Sequence, residues 1–527
     1  MRLAAIDIGS NSIHMVVAQV ESDGRFRVVD RAKEMVRLGQ RTFLNGSLSD
    51  QAIDAGLRTL ASFRTLAERQ GVSRFTAVAT SAVREARNGG DFVQRVNEEV
   101  GLRVKVIPGR EEARLIYLAV RHALDLRHGR FLIVDAGGGS VELIEIEDNK
   151  AVAMHSVRIG VARLAEQFLS ADRLSGNDLS ALEATLAEEL APIFGRLAGR
   201  PIRCVVGTSG TLLNLISIAA AQRGDAVNDQ LNNLSVSARE IARVRRLVTR
   251  ASREERLRIK ALDHKRVDFI VVGACLAHYV LRQLRAKEMV ACTWALREGL
   301  VLDFIARHLR GIEETELFAD PRRRSVVRLA RHIGENGTHG QQVARLALQL
   351  FDQLQGPLSL PAQTRDWLEF AALLHDIGHH IGHKDHQRHS YYLITNGELL
   401  GFRPEEVEII GQIARYHRKA VPKASDPGYA ALPRNARRSV RALSALLRVA
   451  DGLDRSHYSV VREVRVSRRA KHIVLHLHTE RDDSELEIWE ARRRAGLLED
   501  VLRVRIDFDT AIGMPGGASH RLKEAVE

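Results

Sequence analysis

Residues 3–20, LAAIDIGSNSIHMVVAQV, and residues 131–146, FLIVDAGGGSVELIEI, form one hairpin pattern written twice. Each begins with a strand-like apolar run, passes through a glycine-bearing turn and continues into a second apolar strand. The first turn is Asp7-Ile8-Gly9-Ser10-Asn11-Ser12 and the second Asp135-Ala136-Gly137-Gly138-Gly139-Ser140. Asp7 and Asp135, Gly9 and Gly137, and Ser12 and Ser140 all lie 128 residues apart. An internal repeat of a strand–turn–strand unit predicts two related α/β halves with a cleft between them.

Working outward from the turns, the spacing predicts a helix over 51–70 and a strand over 75–80. A loop is predicted through Ser81-Ala82-Val83-Arg84, then a short strand over 104–107 stopped by Pro108-Gly109, and a helix from Glu111 to about 126. After the second hairpin come a helix over 178–197 and a buried strand that runs into Gly207-Thr208-Ser209-Gly210-Thr211, which opens the helix 212–220. Thr293–Leu309 reads as the last helix of this part. The charged segment 311–324 reads as a boundary. From 325 to about 455 the pattern is helical. Beyond Tyr458 strands are predicted at 464–466, 473–477 and 502–508, with a helix over 486–499.

The chain has 527 residues, enough for three or four domains. Hydrophobic residues make up 45% and charged residues 28%, which excludes a disordered chain or a fibre. Three cysteines, Cys204, Cys275 and Cys292, cannot build a disulfide framework and read as small buried apolar residues. No stretch approaches the ~20 apolar residues of a membrane helix, and Asp7 ends the first apolar run too early for a signal peptide. The expected location is cytoplasmic, with no membrane partner.

Lys and Arg number 79 against 66 Asp and Glu, a net charge of +13, which attracts polyanions. Arginine clusters stand at Arg322–Arg324, Arg328 and Arg331, at Arg434, Arg437, Arg438 and Arg441, and at Arg462, Arg465, Arg468 and Arg469. Each could be a solvated face or part of a path for a long polyanion. Aromatic residues are only 5% of the chain, which speaks against base stacking and a nucleic-acid partner.

The three glycine turns offer backbone N–H groups beside Ser and Thr hydroxyls, the usual means of cradling phosphate. Asp7 and Asp135, with Glu142 after the second turn, suit a divalent metal; simple turn capping is the alternative for the two aspartates. In Gly109-Arg110-Glu111-Glu112-Ala113-Arg114 two acids open a helix. The helix dipole alone accounts for them, but a carboxylate there could also orient an attacking water. Arg84 could stabilise charge on a transferring phosphoryl group.

Asp7–Ser12, Ala79–Arg84, Gly109–Arg114, Asp135–Glu142 and Gly207–Thr211, in this order over the first ~300 residues, resemble the signatures of the exopolyphosphatase / guanosine pentaphosphate phosphohydrolase (Ppx/GppA) family. The resemblance implies two actin-like, ribonuclease-H-like domains around a cleft, spanning 1–125 and 126–310. It implies Glu112 as catalytic base and Arg84 as phosphate-binding arginine. Ser10, Asn11 and Ser12, then Gly137, Gly138, Gly139 and Ser140, then Thr208, Ser209, Gly210 and Thr211, become phosphate loops. Asp135 and Glu142, with Asp7, become holders of Mg²⁺ or another divalent metal. Ala136 departs from the isoleucine common there. The sequence reads as an exopolyphosphatase that removes terminal phosphate from inorganic polyphosphate, with hydrolysis of guanosine pentaphosphate (pppGpp) the close alternative, ppGpp a related ligand, and a homodimer the implied assembly. A non-catalytic polyphosphate or alarmone sensor is the alternative of another class.

In the helical region, 311–458, His339, the pair His375-Asp376 and Asp451 follow the order of the HD-domain metal set, and His379, His380, His383, His386, His389 and His417 lie among them. The set reads either as a metal site or as a structural histidine network. Residues 459–527 form the expected small α+β tail.

Overall fold

The computed structural model describes the chain apart from residues 170–172, 198, 226–230, 309–319, 334–337, 470–471, 480–483 and 513–527. Much of the expected boundary segment 311–324 therefore lies outside the described residues. The chain divides into two compact units, Met1–Pro321 and Arg322–Glu527.

In the first unit, one sheet holds β1 (Arg2–Ile8), β2 (Ile13–Val20), β3 (Phe26–Glu34), β4 (Arg74–Ala79) and β5 (Val104–Val106), in the order β3-β2-β1-β4-β5. A second sheet holds β6 (Arg130–Ala136), β7 (Val141–Glu147), β8 (Lys150–Val157), β9 (Cys204–Thr208), β10 (Ser235–Ser237) and β11 (Glu288–Ala291), in the order β10-β11-β9-β6-β7-β8. The repeat is thus topological as well as sequential. An antiparallel hairpin (β1–β2, β6–β7) extends to a third antiparallel strand and, on its other side, to two parallel strands. β10 is an added edge strand.

The apolar runs explain the position of the hairpins. Leu132, Ile133 and Val134 are at most 1% exposed, and burying such side chains stabilises by roughly 1.5–3 kcal/mol each. A strand hydrophobic on both faces must lie under helices. Helix Asp50–Arg69 supplies such cover: Ser49 caps it by accepting from the Ala52 N–H, and Ile53, Leu57, Leu60 and Phe63 are buried. Ser81–Arg84, expected as a loop, is the body of a short helix, Ser81–Glu85. The Arg84 N–H donates to Thr80 O at 2.9 Å, so the chain leaves β4 already coiled.

The second unit packs helices Thr338–Leu358, Thr364–Leu374, His386–Asn396, Pro404–Arg415 and Arg434–Gly452 with a three-stranded sheet, β12 (Val461–Arg469), β13 (His472–Thr479) and β14 (Arg505–Ile512). The expected division at 458/459 falls inside one shared core: Leu350, Phe351, Leu446 and Leu447 from the helices join Val464, Leu475 and Leu498 from the tail. The single helix expected over 486–499 is two, Glu485–Arg494 and Gly496–Leu502; Gly496 is a poor helix-interior residue. Cys204, Cys275 and Cys292 are buried and form no disulfide. Among the described residues no helix is long and apolar enough to cross a membrane.

Several arginines of the expected basic path are locally neutralised. Arg322 pairs with Glu406 at 2.9 Å, Arg328 with Glu398 at 3.3 Å, Arg441 with Asp500 at 3.7 Å and Arg465 with Glu463 at 2.8 Å, and Arg323 pairs with Glu369. The side chain of Arg469 lies outside the described residues.

Candidate active site

The site grows from one cross-strand row in each sheet of the first unit. In the first, Asp7 stands opposite His14, and His14 opposite Lys33. In the second, Asp135 stands opposite Glu142, Glu142 opposite Ser156, and Asp135 beside Thr208 on its parallel neighbour. The two rows correspond through the same 128-residue offset, with His14 in the place of Glu142.

Beyond these rows the hairpin turns meet. A Cβ on Gly138 would lie 2.9 Å from Ser10 Cβ and 3.4 Å from Asn11 Cγ, so only glycine lets the two turns approach this closely. Ser10 Oγ lies 2.9 Å from Ser81 Oγ, tying the first turn to the start of the Arg84 helix. The third turn is strained: Ser209 has φ of 73°, unusual for a residue with a side chain, and its buried hydroxyl has no hydrogen-bond partner. At Gly210 a Cβ would fall 1.8 Å from Arg266 Nη2, so this glycine admits the Arg266 guanidinium.

These pieces enclose a cavity of about 350 Å³. Asp7, Asp135 and Glu112 line it, with Ser10, Asn11, Ser12, Gly137, Gly138 and Ser140 from the first two turns and Thr208–Thr211 from the third. Three expected residues stand behind this wall. Gly139 carries its carbonyl to Arg163 Nε at 3.2 Å. Glu142, 1% exposed, accepts from Ser156 Oγ at 2.8 Å. Arg84 Nη1 donates to Ile107 O at 2.7 Å and to Glu112 Oε2 at 3.3 Å. Thr208 Oγ1 is occupied with Trp294 O at 3.2 Å, which gives it a structural task.

Glu111 and Glu112, adjacent in the first turn of helix Gly109–Ala123, separate here. Glu111 turns to Arg114, 2.7 Å away, and to Arg307. Glu112 is buried, faces the cavity and holds Arg84. Burial, then the charge of Glu142, pushes the Glu112 carboxyl well above the ordinary carboxylate range, while Arg84 pulls the other way. Asp135 is raised by burial and by the charges of Glu142 and Asp7. Burial lifts Asp7 to about 6, against the pull of Arg297, and Glu142 to about 7, against its hydrogen bonds from Ser156 and Ser140. Burial and crowding thus hold all four acids above the ordinary carboxylate range.

The chain's residues 16–308 match the Ppx/GppA phosphatase family, and residues 322–492 match domain III of that family. The chain belongs to the Ppx/GppA phosphatase family. It is similar to the crystal structure of the Aquifex aeolicus family member, at 28% identity and a TM-score of 0.51, over 58% of this chain and 98% of that one. It is similar to an exopolyphosphatase from Cytophaga hutchinsonii at 28% identity and a TM-score of 0.56, over 59% of this chain and 99% of that one. The two sheets are the paired actin-like domains of this family.

For this Ppx/GppA phosphatase, sequence reasoning missed the basic wall of the cavity: His14, Lys33, Arg266 and Arg297. Arg297 Nη1 donates to His14 Nδ1 at 2.9 Å, and His14 Nε2 lies 2.6 Å from Ser12 Oγ, so His14 is a neutral ring locking the first turn. Burial and the Arg297 charge lower its pKa. Burial, then Arg266, lowers Lys33 to about 8. The signal for His14 was present: the repeat offset applied to Glu142 lands on it. Arg266 and Arg297 carried no local motif.

The HD-type residues lie in the second unit. The structure brings His339, His375, Asp376 and Asp451 together, with His339 Nε2 and His375 Nε2 each within 3.7 Å of both carboxylates.

Proposed function

We propose that this phosphatase removes terminal orthophosphate from inorganic polyphosphate at the cleft of the first unit. The observation that carries the reading is the buried Glu112 carboxyl, raised in pKa and held by Arg84, on the wall of a cavity whose other walls are phosphate-type turns. In this reading Glu112 takes a proton from a water aligned with the terminal phosphorus, and the water oxygen attacks in line. The N–H groups and hydroxyls of Ser10–Ser12, of Gly137, Gly138 and Ser140, and of Ser209–Thr211 hold the phosphoryl oxygens. Lys33, Arg266 and Arg297 receive the charge of the following phosphates. Arg84 fixes the Glu112 carboxyl and balances its charge once ionised.

The residues present fit a divalent ion such as Mg²⁺. Asp7 Oδ1 and Glu142 Oε2 are buried oxygens with no hydrogen-bond partner, and Asp135 stands opposite Glu142 and feels the charges of both. Asp7, Asp135 and Glu142 would hold the ion, which when bound supplies charge neutralisation at phosphoryl oxygens.

Polyphosphate is favoured over pppGpp by what lines the cavity. Among the described residues no Phe, Tyr or Trp lines it, so no stacking surface is offered to a guanine. A sensor without catalysis has no use for a buried acid beside a phosphate cradle. The test is release of phosphate from long-chain polyphosphate and from pppGpp, side by side with Mg²⁺. Faster release from polyphosphate supports the reading. Release from pppGpp alone assigns the sister activity, and release from neither assigns a sensor.

A further inference from the structure

The second unit contains more metal-type ligands than the four of the HD order. His386, at the start of its helix, and His417, just beyond helix Pro404–Arg415, face the same aspartate. His386 Nε2 lies 3.1 Å and His417 Nε2 3.5 Å from Asp376 Oδ1. The other oxygen of Asp376 lies 3.7 Å from His339 Nε2 and 3.6 Å from His375 Nε2. Asp451 Oδ1 completes this second group, 3.5 Å from His339 Nε2 and 3.7 Å from His375 Nε2. Ligand atoms ~2.1 Å from one ion stand ~3.0–3.5 Å from one another, close to both sets of spacings.

The backbone decides which ring nitrogens face inward. His375 Nδ1 meets Ala372 O at 2.7 Å, His417 Nδ1 meets Ala414 O at 2.7 Å, and His386 Nδ1 meets His383 O at 3.3 Å. A carbonyl oxygen only accepts, so each of these nitrogens carries a proton and Nε2 is the nitrogen each ring turns to the interior, where it can ligate a cation. His339 Nδ1 is held by Asp454 Oδ2 at 2.8 Å. This is how proteins orient imidazole ligands on a metal. Without a cation the arrangement is costly. His386 Nε2 and His417 Nε2 are 3.2 Å apart, lone pair toward lone pair. His339 Nε2 and His375 Nε2 are buried with no hydrogen-bond partner, a state that costs ~1–3 kcal/mol or more for each. The outer oxygen of Asp451 is bound by Arg494, itself held by Glu490 at 2.6 Å, which fixes the carboxylate from behind.

We propose that this unit holds two divalent transition-metal ions, one on His339, His375, Asp451 and one oxygen of Asp376, the other on His386, His417 and the second oxygen of Asp376. Asp376 is the bridge. The imidazole-rich donor set selects Mn²⁺, Fe²⁺, Co²⁺ or Zn²⁺ over Mg²⁺. It is chemically distinct from the carboxylate cluster of the first unit, and the two sites can be loaded selectively. The four-histidine, two-aspartate set leaves the second ion with three protein ligands and therefore an open position for water or an anionic oxygen.

The test uses the full chain, stripped with chelator, held in excess Mg²⁺ to fill the oxygen-only site, and loaded with Co²⁺. Two Co²⁺ per chain with the visible bands of nitrogen-ligated cobalt are expected. The variant combining His386→Gln and His417→Gln should keep one, Asp376→Asn should weaken both, and Glu112→Gln should keep two. No retained Co²⁺ would make the cluster a hydrogen-bonded histidine network and overturn the proposal. One ion in the wild type, or two in the double variant, would overturn the bridged pair. Should a variant fail to fold, Mn²⁺-loaded wild type decides: an exchange-coupled electron paramagnetic resonance signal supports the pair, and uncoupled or absent Mn²⁺ refutes it.

Discussion

The acid cluster of the first unit and the histidine cluster of the second handle buried charge in opposite ways. In the first, Asp7, Asp135, Glu142 and Glu112 crowd one another, and burial with mutual repulsion drives their protons on. In the second, burial would also raise Asp376 and Asp451, yet the facing imidazoles hold both below the ordinary carboxylate range. Burial would lower His375, but Asp376 and Asp451 lift it to about 10. A crowd of acids holds its protons more tightly than usual, whereas a mixed set locks its charges. The first arrangement suits proton transfer and a hard ion; the second suits permanent ligation.

Neutralising one acid should separate the two regions most widely. Asp135→Asn should cut phosphate release by ~10²–10³-fold, the several kcal/mol of charge stabilisation expected from a metal-holding carboxylate. In the metal-free chain the same change should raise Tm, because it removes a repulsion. A lowered Tm would break the comparison. In the second unit Asp376→Asn should do the reverse and lower Tm of the stripped chain, by an amount corresponding to ~3–5 kcal/mol, since it leaves buried imidazoles without their counter-charge. Thermal melts of both variants in chelator give the two signs together.

A smaller effect sharpens the role of Arg84. Its charge lowers the Glu112 pKa, so Arg84→Gln should move the acid limb of the pH–rate profile upward as well as reduce the rate, and Arg84→Lys should restore most of the position. A profile that falls in height without moving would make Arg84 a phosphate contact only.

The smallest effect is linkage between protons and metal. A carboxyl whose folded pKa is raised contributes stability that is present below its unfolded pKa and lost as pH rises through the folded one. For Asp7, raised from 3.8 to about 6, and Glu142, raised from 4.5 to about 7, that loss accumulates between those values and is complete above about pH 7. Added Mg²⁺ should therefore raise Tm more at about pH 8 than at about pH 5.5. An equal rise at both would place the ion elsewhere.

The hairpin repeat made the fold legible, because each half states its strands, its turn and its buried aspartate in sixteen to eighteen consecutive residues. Glu112, Arg84 and the turn residues were legible through local motifs. Lys33, Arg266 and Arg297 were not, since they reach the cavity through sheet register and tertiary packing. His386 and His417 were visible as histidines, but their ligand-like placement depends on which ring nitrogen a backbone carbonyl engages. That some clustered arginines are paired was not legible, since acids such as Glu406, Glu398 and Asp500 are far away in sequence.

The sharpest single test compares two neighbours on one helix turn. Glu111 pairs with Arg114 outside the cavity, while Glu112 faces into it. Phosphate release from long-chain polyphosphate should fall by ~10²–10⁴-fold in Glu112→Gln and stay near wild type in Glu111→Gln. Wild-type release by Glu112→Gln would contradict the assignment of the cleft acid and of the reaction built on it.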